Sequence, residues 1–165
     1  MMKVHSGHLK EALLHYFRFK RGWVCADEVH SGNFIADVLV DTGVWTMEVE
    51  VKTTKNDLVG GEARKMTGWK GRGKNKHDEW VIGRTNKFAL CVPEHLVKEA
   101  EKWIEEKNPK YGLYVYLENK CLGDSIWTKK TARKLHNEYG KVKYIERIAK
   151  RLSSCRAFEL TRRNK

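Results

Sequence analysis

The stretch that most constrains the fold is Trp45-Thr46-Met47-Glu48-Val49-Glu50-Val51-Lys52-Thr53. Its residues alternate strictly between apolar and polar, the period of a β-strand. Trp45, Met47, Val49 and Val51 project from one face, and Thr46, Glu48, Glu50 and Lys52 from the other. The apolar face has to be covered by another layer, so the chain must build a sheet around this strand. The polar face leaves two readings. At the centre of a sheet, two carboxylates and an ammonium in consecutive positions are costly to bury unless paired or bound to a cation. At an edge they are wet, and their ion pairs are surface ornament worth little.

The preceding segment, Phe34-Ile35-Ala36-Asp37-Val38-Leu39-Val40, is an apolar strand broken by one carboxylate. Residues 23–29 read as a first strand, 33–40 as a second and 45–53 as a third. The turns His30-Ser31-Gly32 and Asp41-Thr42-Gly43 suit an antiparallel meander. An antiparallel neighbour would bring Asp37 beside Glu48 or Glu50, and those like charges repel unless a cation lies between them. Before the meander, Leu9, Leu13, Tyr16 and Phe17 mark a helix over 8–20, stopped by Gly22. After it come a short helix near 58–69 and a glycine- and lysine-rich loop over 71–79. A strand follows at 87–92, and then a helix opened by Pro93, with Leu96, Val97, Ala100, Trp103 and Ile104 as one stripe. A strand is expected over 111–118 and a helix over 144–152; residues 126–132 fit strand or helix. The order α-β-β-β-α-β-α-β predicts an α/β fold, a mixed central β-sheet flanked by helices on both faces.

The 165 residues suit one domain, 1–165, ending in a basic extension over about 127–165. The net charge is +12, and residues 127–165 hold 13 Lys/Arg against 3 Asp/Glu. A second cluster, Arg64, Lys65, Lys70, Arg72, Lys74 and Lys76, is interspersed with glycines. Two basic clusters around an acidic motif favour a polyanionic partner over a merely solvated surface. No apolar run approaches a membrane span and the N-terminal residues lack a secretory core, so a soluble, cytoplasmic protein without a membrane partner is expected. The four cysteines, Cys25, Cys91, Cys121 and Cys155, lie too far apart for a zinc ribbon and read as reduced thiols. There is no phosphate-loop motif and no evident nucleophile–base pair.

Carboxylate oxygens that leave room for water suit Mg²⁺ or Mn²⁺. Such an ion acidifies bound water and neutralises charge on a phosphate under attack, while a lysine on the same face stabilises the developing negative charge. Asp37 followed by Glu50-Val51-Lys52, with the ending Val-Lys-Thr-Thr, resembles the PD-(D/E)xK nuclease superfamily, including archaeal Holliday-junction resolvases and small bacterial DNA-repair nucleases. The resemblance covers roughly residues 6–92. Ala36 stands where the motif's name has proline.

The resemblance implies a restriction-endonuclease-like αβββαβ core. It implies Asp37, Glu50 and Lys52 as catalytic residues, with Asp37 and Glu50 as metal ligands, and it implies a Mg²⁺- or Mn²⁺-dependent endonuclease of DNA repair or recombination, bacterial or phage. Glu48 is a rival ligand. Glu11 is the first-helix carboxylate that completes such sites, although its place on the helix flank equally suits a solvated side chain. His8 and His15, one turn to either side, are poorer ligands for a hard cation. Asp57 reads foremost as the cap of the next helix. Arg64, Lys65, Lys70, Arg72, Lys74 and Lys76 are the expected phosphate-backbone contacts, with Trp69 and Trp80 either stacking on bases or covering the core. The expected substrate is DNA of branched, damaged or single-stranded form. RNA is not distinguished by these residues, a homodimer suits paired cuts, and a helix-turn-helix around Gly140 is a minor alternative for the basic extension. The competing reading is a non-catalytic, basic nucleic-acid-binding module on the same fold.

Overall fold

A computed structural model describes residues 4–31, 34–61, 85–137 and 144–163. Six strands form one mixed sheet in the order β1-β2-β3-β4-β5-β6: Val24–Ser31, Phe34–Asp41, Thr46–Val51, Lys87–Pro93, Gly112–Tyr116 and Ile126–Lys130. β1, β2 and β3 are an antiparallel meander. β4 and β5 follow β3 in parallel, and β6 returns antiparallel to β5. The segment 126–132, open between strand and helix by sequence, is thus the outer strand and its exit.

The two faces are built differently. Helix α1 (Ser6–His15) runs on into a π-helical turn, Tyr16–Lys20. It lays Leu9, Ala12, Leu13, Tyr16 and Phe17 on Val38, Val40, Met47, Val49, Val51, Ala89 and Cys91. Gly22, at φ +68°, turns the chain out of the helix into β1, a conformation natural to glycine. On the opposite face α2 (Val97–Lys107) packs Ala100, Trp103 and Ile104 over Phe88, Leu90, Leu113 and Val115. Pro93 precedes a 3₁₀ turn, Glu94–Leu96, that leads into this helix. The last helix, α3 (Tyr144–Arg163), runs well past the expected 144–152 and sets Tyr144 and Ile148 on Ala26, Val29, Ala36 and Leu39.

Polar contacts fix the joints. In the β2–β3 turn Asp41 Oδ1 accepts from the Gly43 amide at 2.8 Å, while Thr42 Oγ1 donates to the Trp45 carbonyl at 3.0 Å. At the head of the parallel pair Asn86 Oδ1 accepts from the Thr46 amide at 2.9 Å, and the Asn86 carbonyl accepts from Leu135 N at 2.8 Å. No helix among the described residues is long and apolar enough to cross a membrane.

Gly112 of β5 lies in close contact with the chain leaving β6. A Cβ there would stand 2.8 Å from the Ala132 nitrogen and 3.0 Å from its Cα, backbone atoms that cannot swing aside. Gly112→Ala is therefore expected to cost about 1–3 kcal/mol, read from urea unfolding. Gly7→Ala, with open space around it, should cost nothing. Equal stabilities for the two variants would contradict this packing.

Candidate functional site

Glu48 and Glu50 lie on β3, an inner strand, with Lys52 just past its end, and the three are 0%, 2% and 4% exposed. The wet-edge reading of this face is therefore wrong. In register Glu48 is flanked by Leu39 on one side and Phe88 on the other, and Glu50 pairs with Leu90. Leu39 belongs to the cluster under α3, and Phe88 and Leu90 to the cluster under α2. The charged stripe thus runs along the seam between two apolar clusters, on the sheet face away from α1. Lys52 Nζ stands 3.4 Å from Glu50 Oε2 and 3.7 Å from Asp57 Oδ1.

Asp57 is not the cap it was expected to be. Thr54 Oγ1 accepts from the Asp57 amide at 3.2 Å, and the Thr54 carbonyl accepts from Leu58 N at 3.0 Å. The spacing Thr54-Lys55-Asn56-Asp57 carries that signal in the sequence. Asp57 instead turns to Lys52.

Asp37 sits at an irregularity of the sheet. In β1, Ala26 and Val29 face the same cluster; in β2, Ala36 and Leu39 do so as well, while Val38 and Val40 face α1. Each pair is three residues apart, so the two-residue alternation slips once in each strand. The β1–β2 pairing skips Glu28 and Asp37 at that point, and Glu28 has φ +50°. The antiparallel β2–β3 register, with Val38 opposite Val49, sets Asp37 at the level of Glu50, as expected of neighbouring strands. Asp37 Oδ2 accepts from the Val51 amide at 2.9 Å, and its Oδ1 lies 3.1 Å from Lys10 Nζ of α1. The Asp37 carboxylate is thereby held at the Glu50–Val51 peptide. Burial pulls the Lys10 ammonium down, but the Asp37 and Glu28 carboxylates outweigh it and hold the group above the ordinary lysine range.

Glu11 is exposed and lines a cavity of about 350 Å³ together with Ser6, Lys10, Asp27 and Glu28. Neither histidine of α1 is arranged as a ligand: His8 Nδ1 faces the His5 amide at 3.4 Å, and His15 packs on Phe19 at 4.9 Å between ring centroids. Cys25 and Cys91 are buried thiols, and burial pushes Cys25 up to about 11 and Cys91 higher still. Arg64, Lys65, Lys70, Arg72, Lys74, Lys76, Trp69, Trp80 and Gly140 lie outside the described residues. Several basic residues of 127–165 are committed within the fold: Lys129 to Glu101, Lys130 to Glu105, and Arg151 to Asp27 and Glu28.

The donor set, carboxylates alone, has the chemistry of a hard divalent cation site. Among the described residues no group of three or more His, Cys, Asp or Glu is disposed to hold a metal ion. The carboxylates that would hold such an ion are two, Asp37 and Glu50, on either side of one peptide and each facing a lysine.

No family model matches the chain, and no curated protein matches it. Among solved structures it is similar to a protein of unknown function from Silicibacter pomeroyi, at 14% identity and a TM-score of 0.65, over 98% of this chain and 94% of that one. The likeness is one of fold. An XisH family protein from Nostoc punctiforme is matched at 13% identity with a TM-score of 0.41, over 66% of this chain and 90% of that one.

Removing one partner of a buried ion pair strands the other. Lys52→Met is expected to cost about 3 kcal/mol or more in chemical denaturation, and Glu50→Gln added to it should recover part of the loss. A single variant as stable as the parent would show that Lys52 is not the counter-ion of the buried stripe.

Proposed function

We propose that the chain is a Mg²⁺- or Mn²⁺-dependent endonuclease of the PD-(D/E)xK type. One observation carries the reading: an acid and a lysine, Glu50 and Lys52, are buried side by side at the end of an inner strand, with a second acid, Asp37, hydrogen-bonded to the next peptide. Hydrophobic residues would fill an inner strand at lower cost, so charge retained there favours a chemical use over a structural one. Asp37 and Glu50 would hold the metal, which when bound supplies an acidified water and a charge opposite the phosphate. Of the two glutamates Glu50 is favoured, because Asp37 bonds the peptide that follows it, whereas Glu48 lies deeper, between Leu39 and Phe88. Lys52, on the same face, is the group to stabilise negative charge at the phosphate or to orient the attacking water. The excess charge of +12 favours a nucleic acid as substrate. DNA is preferred on the resemblance of the motif, and a soluble intracellular enzyme, acting as a dimer where two strands are cut, fits the same reading.

A second reading has a specific observation behind it. Asp37 and Glu50 already face lysines, as a purely structural pair of salt bridges would. On that reading the chain binds nucleic acid without cutting it.

The two part in one assay. Plasmid, flap, four-way-junction and single-stranded DNA, with RNA alongside, are incubated with Mg²⁺ or Mn²⁺ and with chelator. The nuclease reading expects metal-dependent product and a loss on the order of 100-fold or more for Asp37→Asn, with the fold intact by circular dichroism. Salt-sensitive binding without product in any metal supports the second reading instead.

A further inference from the structure

Lys10 is the residue at this site for which neither motif nor helix periodicity accounts. It projects from α1 between Leu9 and Ala12, both fully buried, so the helix beneath it is anchored and only the side chain has room to move. The side chain is 17% exposed, and its ammonium lies between two carboxylates: Asp37 Oδ1 at 3.1 Å and Glu28 Oε1 at 3.4 Å. Glu28 is held from its other side. Arg151 of α3 reaches Glu28 Oε2 at 3.1 Å and the Asp27 carbonyl at 3.2 Å. Glu28 is also the one non-glycine residue with positive φ among those described, at +50°. A bulky residue in the left-handed region persists where its surroundings over-determine it, and such outliers concentrate at functional sites. Here the outlier aims the carboxylate at Lys10.

We infer that Lys10 is a resident counter-ion competing with the metal for Asp37, and that Glu28, braced by Arg151, is the seat to which the ammonium withdraws when the metal loads. The inference rests on the metal-site reading above and adds a control element to it. The charge arithmetic suits such an exchange. Asp27, Glu28 and Asp37 face two cations, Lys10 and Arg151, and Glu11 lines the same cavity, so acids outnumber bases there. The ammonium need not enter water to give way, since Glu28 already lies within ion-pair distance. Two cations that contend for one carboxylate oppose each other's binding by equal free energies. Lys10 is a positioning residue, which holds the Asp37 carboxylate in place until a metal loads.

The test is calorimetric titration of Mn²⁺ into the full-length, metal-free chain, with no substrate and no turnover. Lys10→Met is expected to bind Mn²⁺ roughly five- to tenfold more tightly than the parent, and Glu28→Gln several-fold more weakly, because its lysine has lost the second seat. In the Lys10→Met background the Glu28→Gln effect should vanish. Lys10→Gln supplies the same comparison if the methionine variant fails to fold by circular dichroism. Parental Mn²⁺ affinity in both Lys10 variants overturns the exchange. So does an undiminished Glu28→Gln effect in the double variant, which would mean that Glu28 acts on the metal directly. Failure of the metal-site reading itself looks different: Mn²⁺ binds no variant, or Asp37→Asn binds it as tightly as the parent, and the exchange falls with it.

Discussion

Three charged side chains buried on one face of β3 and just past its end are the constraint to which the surrounding structure answers. An uncompensated ion in a protein interior costs several kcal/mol, a large part of the ~5–15 kcal/mol that holds a domain together. The chain meets this by setting Lys52 within 3.4 Å of Glu50 and within 3.7 Å of Asp57 on the turn that follows. Thr54, which accepts from the Asp57 amide, shapes that turn. The two apolar clusters on this face stop to either side of the stripe, one under α3 and the other under α2. The opposite face packs a broad apolar cluster beneath α1.

A second departure from ideal geometry is linked to the first. A regular β2 would give Asp37 and Leu39 the same face, and the carboxylate would meet the glutamate stripe with nothing between like charges. At the slip around Glu28 and Asp37, one oxygen of the acid meets Lys10 of α1 and the other accepts from the Val51 amide, beside Glu50. The sheet therefore carries carboxylates around one peptide of its inner strand, each within reach of a lysine. Charge repulsion, backbone strain at Glu28 and the reach of Lys10 are three expressions of the same local problem.

Most of the fold was legible because its signals are local. The Leu9/Leu13/Tyr16/Phe17 stripe, the alternation of 45–53 and the stripe from Leu96 to Ile104 each specify an element and its buried face, and each element formed. The strand at 126–130 was less legible. Trp127 and Lys129 project outward there while Ile126 is buried, too short a pattern to separate strand from helix. The length of α3 was hidden because, among its described side chains, the buried ones are Tyr144 and Ile148 of the first turns. Within the site, Asp37, Glu50 and Lys52 stand out in sequence as charges inside apolar strands. Lys10 does not, since a lysine on a helix flank is ordinarily solvated, and its role depends on a strand irregularity that no local spacing announces. Arg151 carried a faint signal: it follows Ile148 by three residues on the stripe that packs against β1.

The central claim, that Asp37 and Glu50 form a divalent metal site on this fold, is tested most directly by a crystal structure of the chain soaked in Mn²⁺ and measured at the manganese edge. The expected result is an anomalous peak at the Asp37 and Glu50 carboxylates, with Lys10 Nζ moved off Asp37 and onto Glu28. Both carboxylates still on their lysines, with no anomalous density between them at saturating Mn²⁺, would contradict it and leave the buried charges as structural salt bridges.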